Sequence, residues 1–142
     1  MAPQDINHYR QKTHHAILDL GSSVSALSKE FYDLLELTNM EKCTIELVLA
    51  DHSTKQALGI VKDVMVELHM TFVPVDFVIM DMGRNTSSPI ILGRPFLRIS
   101  GAVIDCKEGN VKFQFPHKNP MEHFPRKKEI FGYDLPHAFK IT

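Results

Sequence analysis

Cysteine is scarce in the 142-residue sequence: only Cys43 and Cys106 occur. No apolar run approaches the ~20 residues needed to span a bilayer. The start, MAPQDINHYRQKTHH, is polar and has no apolar h-region, so no secretory signal is expected. These absences point to a reducing, intracellular and cytoplasmic setting, in which the two cysteines are buried thiols rather than a disulfide. Neither sign of charge is in excess, with Lys+Arg 16, Asp+Glu 17 and a net charge of -1. That balance argues against a protein that wraps nucleic acid by electrostatics alone. Internal repeats and low-complexity tracts are also missing. What is present is a globular composition, 44% hydrophobic and 23% charged. The length suits one domain with a real core and is too short for two ordinary ones.

Three segments differ in character. Residues 1–15 are polar, carry His8, His14 and His15, and read as a lead-in with little structure. Residues 16–115 have the composition of a β-rich domain. Residues 116–142 hold Pro116, Pro120, Pro125 and Pro136 and the basic step Arg126-Lys127-Lys128, and read as an extended tail or linker. The basic step alone supports a nucleic-acid role; a solvated surface is its plainer reading.

Within the β-rich part, short strand signals are frequent. They fall at His15–Asp19, Thr44–Ala50, Lys55–Val61, Asp63–Met70, Thr71–Met80, Pro89–Leu92, Ala102–Asp105 and Val111–Phe115. Asp63–Met70 and Thr71–Met80 follow so closely that they form a hairpin. Pro74 cannot donate a ladder hydrogen bond, which puts that part of its strand on an edge or a bulge. Glu108-Gly109-Asn110 is a hairpin turn by composition. Two short helices interrupt the strands. Ser28–Glu36 has Ser28 as N-cap and Phe31, Leu34 and Leu35 on one face. Arg94–Ile99 has Pro95 in its first turn, where the missing N–H costs nothing. The sum is an all-β domain, closed or sandwiched, with one or two short helices.

The informative stretch is Ala16-Ile17-Leu18-Asp19-Leu20-Gly21-Ser22-Ser23. An apolar strand delivers one carboxylate to its end, and Gly21 allows a tight turn that brings backbone N–H groups beside it. A second apolar strand, Pro89–Leu92, ends in Gly93 and leads into the Arg94 helix. Asp81-Met82-Gly83 repeats the Asp-x-Gly pattern. The chain ends at residue 142, too soon for a second lobe at the same spacing, so Asp81 reads as a strand-end turn acid. The eight histidines lack partnered Cys or carboxylate spacing, so no metal site is expected, and no cofactor.

Four motifs in order carry a family likeness: Asp19-Leu20-Gly21, Leu49-Ala50-Asp51, Pro74-Val75-Asp76-Phe77-Val78 and Ile91-Leu92-Gly93-Arg94-Pro95-Phe96-Leu97. They resemble the retropepsin-like aspartic protease segment in polyproteins of plant gypsy-like (LTR) retrotransposons, over roughly 16–115. The resemblance implies a closed β-barrel lobe of the acid-protease type. It implies an aspartic endopeptidase with Asp19 as the catalytic acid, and a homodimer in which Asp19 of two chains meet. It further implies that Leu20, Gly21, Ser22 and Ser23 form the active-site loop, with the Ser22 hydroxyl on Asp19 and the Gly21 carbonyl and Ser23 amide on substrate backbone. Ala50, Asp51, His52 and Ser53 would form the flap over an extended polypeptide substrate, a retrotransposon polyprotein. Gly93 and Arg94 would brace the loop from behind. No membrane partner is implied.

The sequence departs from the family pattern at Leu20, where most retropepsins carry a Thr or Ser that bonds across the dimer axis. It departs again at Ser23, where many viral members carry an acid that pairs with the helix arginine. The strand pair that relatives place upstream of the Asp19 strand has no β pattern here, which would leave one barrel edge bare. A second hypothesis follows: an inactive remnant of the same fold that acts as a dimerisation or peptide-binding module.

Overall fold

The computed structural model describes residues 13–48, 52–68, 71–83, 89–116, 128–134 and 138–141. The long hairpin comes first in the folding logic. Strands β6 (Gly59–Leu68) and β7 (Thr71–Met80) pair antiparallel from Gly59↔Ile79 to Leu68↔Thr71. Val64, Val66 and Leu68 on one strand and Val73, Val75 and Phe77 on the other are buried, while Met65 and Phe72 stay exposed. That is the period-two pattern of a sheet with one covered face. From Phe77 to Met80 every residue is buried. Both faces are covered there: Phe77 and Ile79 join the main core, and Val78 and Met80 join a second cluster with Ala26, Cys43, Ile45 and Leu47.

The strand next to β7 has no β-propensity signal. Strand β3 (Ser25–Ser28) reads Ser-Ala-Leu-Ser and is buried at all four positions. It lies parallel to β7, with Ser25↔Phe77 and Ser28↔Met80, and antiparallel to β8 (Ile90–Leu92), with Ala26↔Ile91. Small side chains fit where both faces are covered, so packing selected this strand and periodicity could not. Ser28 also caps helix α1 (Lys29–Leu34): its Oγ accepts the Phe31 N–H at 3.0 Å. Phe31 and Leu35 then point into the core.

The main sheet has seven strands in the order β1-β12-β6-β7-β3-β8-β2, where β1 is Thr13–His15, β2 is Ile17–Leu18 and β12 is Ala138–Ile141. The expected closed barrel is corrected here. Among the described residues no ladder joins β1 to β2, so the sheet keeps two edges. These edges are consecutive pieces of chain separated only by the buried Ala16, so the sheet curls until both edges meet on one stretch. The all-β expectation holds.

The lead-in and tail readings also change. Thr13–His15 forms β1, and β12 sits between it and β6, with Thr13↔Lys140 and Lys140↔Glu67. Strand β11 (Lys128–Asp134) pairs along the whole of β10 (Asn110–Pro116), from Asn110↔Asp134 to Pro116↔Lys128. Strand β9 (Val103–Asp105) completes that sheet on the other side. An unpaired strand edge is a template for misassociation, and these late strands cover two of them. The upstream edge expected to be bare is covered from the C-terminal side.

Pro74 lies where β7 has β6 as its neighbour and β3 has not yet joined, which satisfies its missing donor. The ladder slips between Val61 and Val64, where Asp63 takes a φ of 57° and donates its N–H to Asp76 Oδ1 at 3.0 Å. The cysteines are free, and neither is fully buried as expected: Cys43 is half-buried and Cys106 exposed, because Cys106 falls in the turn between β9 and β10. Among the described residues no helix is long and apolar enough to cross a membrane.

Candidate active site

Strand β2 pairs parallel with β8, Ile17↔Ile91 and Leu18↔Leu92, and Asp19 continues that ladder by donating its N–H to the Leu92 carbonyl at 2.9 Å. Strand β8 therefore runs between the strand that enters the Asp19 loop and β3, the strand that leaves it. The loop closes on itself. Gly21 N–H donates to Asp19 Oδ1 at 2.8 Å, and Ser22 N–H to the Asp19 carbonyl at 3.2 Å. A Cβ at position 21 would sit 3.1 Å from Asp19 Oδ1, which crowds the contact that holds the carboxylate. One carboxylate oxygen is thus oriented. Among the described residues Oδ2 makes no hydrogen bond, and Asp19 is half-buried.

Ser22 does not act on Asp19 as expected. Its Oγ donates to the Val24 carbonyl at 2.6 Å and accepts the Val24 N–H at 3.4 Å. The hydroxyl is spent on turning the chain from the loop into β3, so it is a loop-shaping group. Gly21 and Ser23 are exposed, and among the described residues the Gly21 carbonyl and the Ser23 N–H carry no hydrogen bond. Both are free for an extended chain. Leu20 is 58% exposed beside them.

Helix α2 (Arg94–Ile99) supports the loop from behind. Arg94 N–H donates to the Ser22 carbonyl at 2.9 Å, and Arg94 Nη1 to the Leu20 carbonyl at 3.4 Å. With Ser23 in the acid's place, the guanidinium turns to a backbone carbonyl. Gly93 meets the loop so closely that a Cβ there would lie 2.9 Å from the Ser22 carbonyl oxygen. Sequence reasoning missed Ser25, 2% exposed, whose Oγ accepts the Gly93 N–H at 3.0 Å. The only available signal was a hydroxyl in a segment that the burial pattern of β3 makes interior.

The flap expectation falls partly outside the described residues, which omit Leu49, Ala50 and Asp51. Either side of them, β4 (Glu46–Val48) and β5 (Thr54–Gln56) pair as a separate antiparallel ribbon, Glu46↔Gln56 to Val48↔Thr54. His52 and Ser53 are exposed, and His52 has a φ of 67°. Asp81 repeats the local geometry of Asp19, with Gly83 N–H on its Oδ1 at 3.1 Å, but it is exposed at the end of β7 and followed by a glycine with φ 77°. It is a turn former. Among the described residues no group of three or more His, Cys, Asp or Glu side chains gathers to hold a metal ion.

No curated protein matches the sequence. Among solved structures, the chain is similar to the retroviral protease-like domain of Ddi1 from Leishmania major, at 17% identity and a TM-score of 0.49, over 69% of this chain and 72% of that one. Residues 3–96 match the family model described as aspartyl protease. That span includes the Asp19 loop, the β4–β5 ribbon and the Gly93–Arg94 turn that seats the loop, and the chain belongs to the aspartyl protease family, with a retropepsin-like fold.

Proposed function

We propose that the chain is an aspartic endopeptidase of retropepsin type, the protease segment of a plant gypsy-like retrotransposon polyprotein, acting on extended stretches of that polyprotein. The reading rests on one observation above all. Asp19 is held at a strand end with one oxygen bound by Gly21 N–H; among the described residues the other oxygen has no partner, and the Gly21 carbonyl and Ser23 N–H on the same loop carry no hydrogen bond.

Each chain supplies one such acid, so the active form is a C2 homodimer with the axis between two Asp19 side chains. Two carboxylates brought that close share one proton, because both cannot ionise comfortably. The ionised one takes a proton from a water as its oxygen attacks the peptide carbonyl carbon. The protonated one hydrogen-bonds the carbonyl oxygen. When the C–N bond breaks, the proton passes to the leaving amine. In this reading Ala50, Asp51, His52 and Ser53 serve as the flap over the peptide, which is held as an added strand would be. A cytoplasmic setting keeps Cys43 and Cys106 as thiols.

A second reading, a non-catalytic module that dimerises or binds peptide, is favoured by Leu20, which offers no hydroxyl to tie the two loops together. One experiment separates them. The endopeptidase reading expects cleavage of a peptide library at acidic pH, inhibition by pepstatin-like compounds and complete loss in Asp19→Asn, and expects sedimentation velocity to find a dimer. A strictly monomeric chain, or cleavage that survives Asp19→Asn, sinks the endopeptidase reading.

A further inference from the structure

We propose that the cleft flanking Ser23 is a subsite for a lysine or arginine side chain of the bound polypeptide. The inference rests on the peptidase reading above and names a feature of its substrate. The cleft has a volume of about 360 Å³, at the low end of ligand pockets, which run ~300–1,000 Å³. Its size suits one side chain of a longer chain.

The floor and the rim differ in chemistry. Val75, Val78 and Phe96 line the floor and are buried. Asp63 and Asp76 line the rim and are exposed. Asp76 Oδ1 is occupied by the Asp63 N–H at 3.0 Å. Among the described residues Asp76 Oδ2 and the Asp63 carboxylate have no partner, and no Lys, Arg or His lines the cleft. The adjacent Lys62 pairs with Glu41 at 3.4 Å instead. Lys and Arg carry an apolar stem with a charged head, which matches an apolar floor beneath an acidic rim. An acidic side chain meets two like charges there.

The position links the cleft to the reacting centre. Ser23 lines it and is the last residue of the Asp19 loop, and Ile45, which also lines it, leads into the β4–β5 ribbon. A peptide anchored on the Ser23 N–H therefore sets a side chain at the cleft mouth. The Asp63 geometry is a consequence of the slip between β6 and β7, which turns residue 63 out of the ladder.

The test uses fluorescein-labelled alanine-based decapeptides in which a single Lys, norleucine or Glu is walked through every position. Anisotropy measures their binding to the full chain carrying Asp19→Asn, with and without Asp63→Asn and Asp76→Asn. Asn retains the Oδ1 acceptor and tolerates the positive φ at 63, and thermal melting checks that the variants fold. The expected result is one position at which Lys binds about threefold to tenfold tighter than norleucine, an advantage that collapses in the double Asn variant and at high salt. Norleucine equal to Lys at every position, an advantage that survives the double variant, or no binding of any peptide overturns the subsite. Cleavage by the unmodified chain is measured separately. A Lys preference without cleavage leaves the subsite standing and removes the peptidase reading; cleavage without a Lys preference does the reverse.

Discussion

Gly93 lies directly against the backbone of Val24: a Cβ at position 93 would stand 2.2 Å from the Val24 carbonyl oxygen and 2.7 Å from its carbonyl carbon. These two residues mark where the end of β8 passes the chain leaving the Asp19 loop. Three hydrogen bonds converge on the crossing: Gly93 N–H on Ser25 Oγ, Arg94 N–H on the Ser22 carbonyl, and Ser22 Oγ on the Val24 carbonyl. The carboxylate of Asp19 is aimed from this crossing.

Gly93→Ala forces backbone apart, because the clashing atoms cannot rotate away. The expected cost exceeds the ~1–3 kcal/mol of ordinary overpacking. Urea denaturation of the variant checks it, and a midpoint within error of the parent chain contradicts the close approach.

Ser28→Ala removes the hydroxyl that receives the Phe31 N–H. The loss should be about 1 kcal/mol. Ser28→Asp retains an acceptor and should recover part of it, although the site is only 1% exposed. Chemical denaturation of both variants makes the comparison.

Arg94→Ala deletes the contact to the Leu20 carbonyl while the Arg94 N–H bond to Ser22 remains. An exposed side-chain hydrogen bond contributes at most ~1 kcal/mol to stability. Loosening of the Asp19 loop, by contrast, can lower turnover by up to ~100-fold through misplacement. On the peptidase reading proposed above, a variant that melts near the parent temperature yet cleaves poorly is the expected outcome. Equal loss of stability and turnover argues against loop bracing.

Phe96→Ala empties a site that is 1% exposed and packs edge-to-face with Phe113 at 6.1 Å between centroids. The expected destabilisation is ~3–5 kcal/mol, read from the denaturation midpoint.

Much of the framework was legible in the residues. The β6–β7 hairpin, the Ser28 cap, the Pro95 helix and the Gly109 turn all rest on local rules and are found, although β6 begins at Gly59 and so takes in the end of the separate strand expected at Lys55–Val61, whose start belongs to β5. The Asp19 turn was legible too, since Asp-x-Gly encodes its own Gly21 N–H contact. Strand β3 was not, because Ser-Ala-Leu-Ser shows neither β-branching nor alternation. Strands β11 and β12 were hidden among prolines and lysines, and only their partners β10, β6 and β1 make them strands. The Ser22 hydroxyl was not legible either, since its choice between Asp19 and Val24 depends on how tightly the loop turns.

By itself the sequence determined the all-β class, the acid at a strand end and the glycines beside it, because those follow from period-two burial and from turn chemistry within a few residues. The tertiary structure alone decided which strand threads between β2 and β3, what covers the upstream edge, and which atoms hold the Asp19 loop. Those are contacts between segments 68 to 127 residues apart, such as Gly93 with Ser25 and Thr13 with Lys140, and no local pattern specifies a partner at that range.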